Sequence, residues 1–277
     1  MATKKAASTS KKSSTSVIAK TSTRKSATTA PATATKNTFV GHVQESVRSV
    51  TLWRALAAEF IGTFLLASVV IAGQGQPIFV LFALVGIVLL IGTVSGAHVN
   101  PAITIGAWVT RRIGWLRAVG YILAQVLGAA FAYFAFNAFL SGAAPVSAEA
   151  AMYGQSAATL YAAADVSLLS GKEWYIFFAE LLGTTILAFA VANATREVQD
   201  RVAAAFTVGL GIFIALMVAV SAASYVGGSA IINPAVAVAL QAYTLNWWPI
   251  AIYALAPIIG GVAGFVIYDL IRGRAAK

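Results

Sequence analysis

The chain has 277 residues, of which 59% are hydrophobic and only 10% charged, and it carries a formal net charge of +10. Soluble domains hold about a quarter charged residues, so this composition excludes an ordinary water-soluble fold and indicates that lipid surrounds much of the chain. Cysteine is absent and histidine occurs only twice, which excludes disulfides, thiolate chemistry and a histidine-based metal centre, and no cofactor is expected.

The amino-terminal segment is a basic arm. Residues 1–52 hold nine Lys or Arg residues and one acid, Glu45, in a Ser/Thr/Ala-rich stretch without apolar periodicity. Such a stretch cannot bury enough apolar surface to offset the entropy of ordering, so residues 1–50 are predicted to be disordered and residues 51–277 to form the membrane domain. The arm has three candidate roles: a solvated tail that touches anionic lipid, a transit peptide, or a nucleic-acid-binding segment. The lack of interleaved aromatic residues disfavours nucleic acid as a partner.

Six apolar stretches follow, and each is long enough to cross about 30 Å of hydrocarbon as a helix. They cover residues 53–73, 77–94, 115–140, 174–193, 202–222 and 247–271. Eighteen of the nineteen Lys and Arg residues lie at the two termini or in the loops on the same side of these spans, and only Lys172 lies on the other side. Both termini are therefore predicted to be cytoplasmic. The cell membrane is the expected location, with an organellar membrane as the alternative.

The chain also contains an internal repeat. Three motifs occur in the same order in both halves: Ala-Glu-Phe/Leu-Ile/Leu-Gly-Thr at 58–63 and 179–184, Asn-Pro-Ala at 100–102 and 233–235, and a Tyr-to-Gly octapeptide at 121–128 and 253–260. We divide the membrane domain into repeat one at 51–140, an external loop at 141–172 and repeat two at 173–272. Each repeat holds three spans, an odd number, so the second inserts upside down relative to the first. Inverted repeats of this kind place their shared site near the middle of the bilayer.

The Asn-Pro-Ala motifs are the candidate functional site. They consist of Asn100, Pro101 and Ala102 in repeat one and of Asn233, Pro234 and Ala235 in repeat two. Each lies in an apolar segment, 95–110 or 224–243, that is too short to cross the membrane and therefore predicts a re-entrant half-helix. Asn is a favourable N-cap and Pro suits the first helical turn, so each motif begins a helix inside the membrane. The positive ends of two opposed half-helices are expected to repel cations and protons, while the Asn amides donate hydrogen bonds to a neutral solute.

The segment 95–104, Ser-Gly-Ala-His-Val-Asn-Pro-Ala-Ile-Thr, resembles the first signature loop of the aquaporin and glycerol facilitator family, the major intrinsic proteins. Segments 58–63 and 179–184 resemble the first and fourth helices of that family. The resemblance covers about residues 53–271 and implies the family's all-α hourglass fold, with six transmembrane helices and two re-entrant half-helices. It also implies a homotetramer in which each subunit has its own pore.

The outer constriction departs from the usual pattern of this family. Most members have arginine directly after the second Asn-Pro-Ala, where this chain has Val236. The resemblance places the other constriction residues at Val80, Ser221 and Ala230, and a one-residue shift in the loop would put Ser229 in place of Ala230. These small side chains are similar to those of plant vacuolar members with valine at this position, a subgroup associated with urea and hydrogen peroxide as well as water.

Two acids and a histidine lie where charge is costly. Glu59 and Glu180 fall inside predicted spans, and His98 lies in the first re-entrant loop. A proton relay through the glutamates and a pH gate at His98 are two interpretations. The resemblance favours a scaffold instead, in which each glutamate accepts hydrogen bonds from the backbone of a re-entrant loop and the imidazole packs beneath the half-helix.

The sequence therefore predicts a passive channel for water or other small uncharged solutes. It does not predict an enzyme, because the acids are scattered and no nucleophile lies beside a base. Urea and hydrogen peroxide are the expected solutes beside water, and ammonia and glycerol stay open, although Ala237 stands where glycerol facilitators have aspartate. Two alternatives remain: a non-conducting membrane scaffold or adhesion protein on the same fold, and a proton-coupled transporter that uses Glu59 and Glu180.

Overall fold

The computed structural model describes residues 39–196 and 199–273, and every regular element in these ranges is helical. Six of the described helices are long and apolar enough to cross a membrane: Val50–Ala72, Pro77–Ser95, Trp115–Ser141, Glu173–Ala194, Arg201–Ser224 and Trp247–Arg272. Each begins and ends within three residues of a predicted span. The prediction of an all-α protein with six transmembrane helices is therefore confirmed.

The helices are numbered in chain order. They are α1 (Phe39–Arg48), α2 (Val50–Ala72), α3 (Pro77–Ser95), α4 (Pro101–Val109), α5 (Trp115–Ser141), α6 (Ala148–Met152), α7 (Glu173–Ala194), α8 (Arg201–Ser224), α9 (Pro234–Ala239), α10 (Trp247–Ile250) and α11 (Ala256–Arg272). A 3₁₀ turn at Val166–Leu168 lies in the external loop, and a π-helical turn at Ala251–Leu255 joins α10 to α11 within the sixth span. Pro257 accounts for the π turn, because proline has no N–H to donate and its ring displaces the carbonyl of the preceding turn.

The predicted disordered arm requires a correction near its end. Residues 1–38 lie outside the described residues, but Phe39–Arg48 form α1, so ordered structure begins before the predicted boundary. Val43 and Val47 are four residues apart, which places them on one face of a helix. The Trp53 Nε1–H on α2 donates a hydrogen bond to the Val47 carbonyl on α1 at 2.7 Å, which joins the two helices. The Ser/Thr/Ala-rich composition of the whole arm concealed this local change of pattern.

Each repeat packs its first span against its last span through a glycine. In repeat one α2 contacts α5, and in repeat two α7 contacts α11. Gly128 lies against the Phe60 carbonyl and Gly260 against the Leu181 carbonyl, and at both places a Cβ atom would overlap that oxygen. These residues are equivalent pairs in the repeated motifs, so the two repeats use the same close helix crossing.

The half-helices α4 and α9 connect the two repeats. α4 packs against α11 and α9 packs against α5, so each half-helix lies beside the last span of the other repeat. Gly261 on α11 permits the first of these contacts, since a Cβ atom there would overlap the Ala102 carbonyl. As a result Asn100 and Asn233 are both buried between the spans.

Candidate functional site

Each Asn-Pro-Ala motif begins a half-helix, as its residue types predict. The Asn100 Oδ1 accepts a hydrogen bond from the Ala102 N–H at 2.9 Å, and the Asn233 Oδ1 accepts one from the Ala235 N–H at 3.0 Å. A proline occupies the first turn after each asparagine, where its missing N–H leaves no backbone donor unsatisfied. The amino ends of both half-helices are therefore capped from within the motif.

The two re-entrant loops are tied to each other by the same asparagines. The Asn100 Nδ2 donates to the Ile232 carbonyl at 2.9 Å, and the Asn233 Nδ2 donates to the Val99 carbonyl at 2.9 Å. An amide NH₂ group has two hydrogens, so each asparagine keeps a second donor beyond this bond. Both asparagines line a central cavity of about 10 Å³, where the second donors can meet a solute oxygen.

The backbone at Val99 and Ile232 has an unusual conformation. Both residues have positive φ angles, 42° and 52°, although β-branched side chains disfavour that region. Each directly precedes the asparagine of its repeat. Each donates its N–H to a buried glutamate and offers its carbonyl to the opposite asparagine, so each strained residue makes two buried hydrogen bonds. These bonds offset a backbone strain of about 1–3 kcal/mol per residue.

Glu59 and Glu180 each accept hydrogen bonds from one re-entrant loop. Glu59 accepts from the N–H groups of His98 and Val99 at 2.9 and 2.7 Å. Glu180 accepts from the two N–H groups of residues 231–232. Both carboxylates are fully buried, and loop N–H groups at this depth need such partners because water does not reach them. With both oxygens of each carboxylate engaged, the geometry supports a scaffold role over a proton relay.

A larger polar network surrounds the first loop. Gln125 donates from its Nε2 to Glu59 at 2.8 Å and to the Thr104 Oγ1 at 2.9 Å. That hydroxyl also lies within hydrogen-bonding distance of the His98 Nδ1, at 3.2 Å. His98 also packs edge-on against the Tyr121 ring at 5.4 Å between centroids. The imidazole is thus a packed part of the loop, which favours the packing interpretation over a pH gate.

Three of the four predicted constriction residues line one cavity, which lies between Asn233 and the external loop. Val80, Ala230 and Val236 are buried and line an outer cavity of about 30 Å³ that reaches Asn233. A cavity of this size has room for about one or two water molecules. Ser229 does not line it, because its Oγ accepts a hydrogen bond from the external loop. The geometry therefore favours Ala230 over Ser229 as the constriction residue.

The prediction for Ser221 requires a correction. Ser221 is exposed on α8, whereas the α8 side chains that line the outer cavity are Ile212 and Leu216. With 3.6 residues per turn, a side chain five positions beyond Leu216 points about 140° away from it. The motif-based placement of Ser221 could not show the rotation of α8 about its own axis, and this rotation decides which of its side chains face the cavity.

Tyr161 lines the outer cavity, although the sequence did not point to it. It lies in the external loop, which has no counterpart in the internal repeat and no recognisable motif. The apolar residues around it, Leu160 and Ala163, were a weak signal for a loop segment that returns to the protein core. Only the course of the loop in space brings this phenol to the pore mouth.

The inner side of the site is a wide vestibule of about 790 Å³. Asp269 on α11 accepts hydrogen bonds there from the Arg112 Nη2 at 2.9 Å and the Arg196 Nη2 at 2.7 Å. The two ion pairs are partly exposed, so each stabilises the fold only modestly. They join the segment after α4 and the segment after α7 to the last helix. The basic character of these loops was visible in the sequence, but their shared carboxylate was not.

The three cavities adjoin one another. The outer and central cavities share Leu66, Ile212 and Asn233 as lining residues, and the central cavity and the vestibule share His98. Within residues 39–196 and 199–273, no group of three or more His, Asp or Glu side chains could hold a metal ion. The outer cavity is narrow and mostly apolar, the central cavity has the two asparagines in its wall, and the vestibule is wide and carries charged side chains.

Comparison with known proteins gives concordant matches. Residues 46–268 match the family described as Major intrinsic protein. The chain is 31% identical over 242 residues to Aquaporin NIP3-1 of Oryza sativa subsp. japonica, which covers 81% of this chain and 70% of that protein. It is 33% identical over 222 residues to Glycerol uptake facilitator protein-like 6 of Lactiplantibacillus plantarum, which covers 76% of this chain and 94% of that protein. The X-ray structure of the aquaglyceroporin from Plasmodium falciparum aligns with a TM-score of 0.59 over 80% of this chain and 97% of that chain, and its 20% identity limits this likeness to the fold.

Proposed function

The chain belongs to the major intrinsic protein family, and we propose that its pore passes water together with uncharged solutes such as hydrogen peroxide and urea while it excludes ions and protons. As a member of this family it is an integral, multi-pass membrane channel for water or small solutes, and not an enzyme. The choice of solutes and the exclusion of charge are our inferences from the walls of the pore.

The observation that carries the proposal is the series of three adjoining cavities. It runs from the outer constriction at Val80, Ala230 and Val236, past Asn100 and Asn233, to the vestibule. The outer cavity is lined by apolar side chains, and no charged residue of the described part lines it. Such walls cannot replace the hydration shell of an ion, whereas a neutral solute loses much less on entry.

Charge exclusion is assigned to the centre of the pore. The amino ends of α4 and α9 adjoin the central cavity, and each helix end carries up to about half a positive charge. A cation there meets two positive ends, while a solute oxygen meets the second amide hydrogens of Asn100 and Asn233. Because Val236 stands where most relatives have arginine, this centre must supply most of the barrier.

Proteoliposomes containing the purified protein test this function. Light scattering after osmotic shock measures water and urea permeability, an enclosed peroxide-sensitive dye measures hydrogen peroxide, and an enclosed pH dye measures protons. We expect permeability to all three neutral solutes above that of empty liposomes, without added proton flux. Ala230→Trp should fill the outer cavity and abolish flux, whereas Ala138→Trp, at an exposed position of α5, should not.

Each alternative predicts a different outcome in the same assay. A scaffold or adhesion protein would leave water permeability at the level of empty liposomes. A proton-coupled transporter would accumulate solute when a pH gradient is imposed, which a passive channel cannot do. Water flux without urea or peroxide flux would retain the channel and refute the proposed solute range.

We further propose a homotetramer with one pore per subunit, with both termini cytoplasmic, in the cell membrane. Exposed apolar side chains such as Phe82, Leu90 and Phe134 suit contact with lipid or neighbouring subunits. The Lys and Arg distribution supports the orientation. Residues 51–277 remain the proposed channel domain, with the arm outside the pore. Cross-linking in membranes and protease access to terminal tags test these points.

A further inference from the structure

The external loop sends one polar side chain to the outer cavity. Tyr161 lines this cavity together with Val80, Ala230 and Val236, and the other polar side chain in its lining is Asn233 at the inner end. A solute that enters from outside therefore meets the phenol before it reaches the asparagine. The remaining lining side chains described offer only hydrocarbon.

The loop is fixed in place just after Tyr161. The Ala163 N–H donates to the Leu240 carbonyl at 3.0 Å, and the Ala164 N–H donates to the Ser229 Oγ at 3.0 Å. Val166, two residues further on, is buried. These contacts tie the loop to the segments on either side of α9, so the position of Tyr161 follows from the second re-entrant loop.

The Tyr161 side chain packs against Gly75, and its hydroxyl is available for a hydrogen bond. Its oxygen lies so close to Gly75 that a Cβ atom there would be 2.5 Å away, and Gly75 has a φ angle of 68° that favours glycine. Within the described residues the Tyr161 hydroxyl makes no hydrogen bond. Burial raises the pKa of the phenol above its ordinary value, so the group stays protonated and can donate.

We propose that Tyr161 is a specificity-determining residue of the outer pore: its hydroxyl hydrogen-bonds to uncharged polar solutes, and its ring sets the width of the mouth. The proposal rests on the proposed function, since it assigns a role in solute passage. In an otherwise apolar passage, one neutral hydrogen bond changes the free energy of a solute enough to alter its passage about two- to tenfold. A water molecule in a single-file column keeps hydrogen bonds to the waters before and after it. Urea displaces those waters, so it depends more on hydrogen bonds from the pore wall.

The experiment compares three variants in proteoliposomes. Tyr161→Phe removes only the hydroxyl and keeps the ring against Gly75, and it should lower urea permeability about two- to tenfold with a smaller effect on water. Tyr161→Ala removes the ring and should raise the permeability of urea relative to water. Tyr153→Phe is the matched control, because Tyr153 lies in the same loop with an exposed side chain, and it should behave as wild type.

The outcomes separate this proposal from the proposed function. A wild type that passes no solute refutes the channel itself. If the wild type conducts and both Tyr161 variants have the urea and water permeability of the wild type, the proposed role of Tyr161 is overturned. Equal losses of urea and water permeability in Tyr161→Phe, accompanied by a lower Tm, would show a purely structural residue and also overturn it. If wild type passes water but not urea, gain of urea passage in Tyr161→Ala supports the role of the ring, and no gain refutes it.

Discussion

Replacing each buried glutamate by glutamine should affect the two repeats unequally. In Glu180→Gln, one acceptor oxygen becomes an NH₂ group that faces a loop N–H, because both Glu180 oxygens accept from residues 231–232. The position equivalent to Gln125 in repeat two is Pro257, which has no amide that can turn to compensate. One charge-assisted hydrogen bond is lost and one buried N–H stays unpaired, at about 1.5–2.5 kcal/mol each. We therefore expect a loss of about 3–5 kcal/mol.

Glu59→Gln should cost less, because Gln125 can compensate in repeat one. The Gln125 Nε2 donates to Glu59, while its Oε1 is buried and has no hydrogen-bond partner within the described residues. Rotation of the Gln125 amide would present Oε1 to the new NH₂ group and to the Thr104 hydroxyl, while Nε2 would move to the buried place where Oε1 now lacks a partner. The Val99 N–H still loses its partner, so we expect a loss of about 2–3 kcal/mol, roughly 1–2 kcal/mol below that for Glu180→Gln.

Thermal unfolding of the detergent-purified variants, followed by intrinsic fluorescence, measures this difference. At about 2–4 °C per kcal/mol for a chain of this size, Glu180→Gln should lower Tm by roughly 6–20 °C and Glu59→Gln by several degrees less. Adding Gln125→Leu to Glu59→Gln removes the compensation and should bring Tm down towards that of Glu180→Gln. Equal losses for the two single variants, or a larger loss for Glu59→Gln, would refute the reasoning.

Three further predictions concern the pore and the helix packing. Val236→Arg adds a charge and several donors to a cavity of about 30 Å³, so the urea-to-water permeability ratio should fall roughly tenfold; an unchanged ratio would place the constriction elsewhere. Because the chain has no cysteine, a mercurial reagent should not inhibit water permeability of the wild type, as light scattering would show. The same reagent should block Ala230→Cys but not Ser221→Cys, and inhibition of Ser221→Cys would show that Ser221 does line the pore. Gly128→Leu forces a side chain into the Phe60 carbonyl and should lower stability by about 1–3 kcal/mol or more, and an unchanged Tm would contradict the close crossing.

Features that depend on short stretches of chain were predictable from the sequence. The six spans follow from the length of each apolar run, and the half-helix starts at Asn100 and Asn233 follow from the capping and proline preferences of adjacent residues. The internal repeat made the equivalence of Glu59 and Glu180 visible before any contact was known. Composition averaged over a long segment was less reliable, as α1 shows, because ten residues with their own periodicity were hidden in it.

Features that depend on the rotation of a helix or the course of a loop were decided only by the tertiary structure. The rotation of α8 about its own axis places Leu216 rather than Ser221 against the outer cavity. Tyr161 reaches that cavity through a loop without a repeat to mark it, and Asp269 pairs with arginines far away in the sequence. Local preference and hydrophobic length therefore determined the elements of this channel, whereas contacts between distant segments selected the side chains that line it.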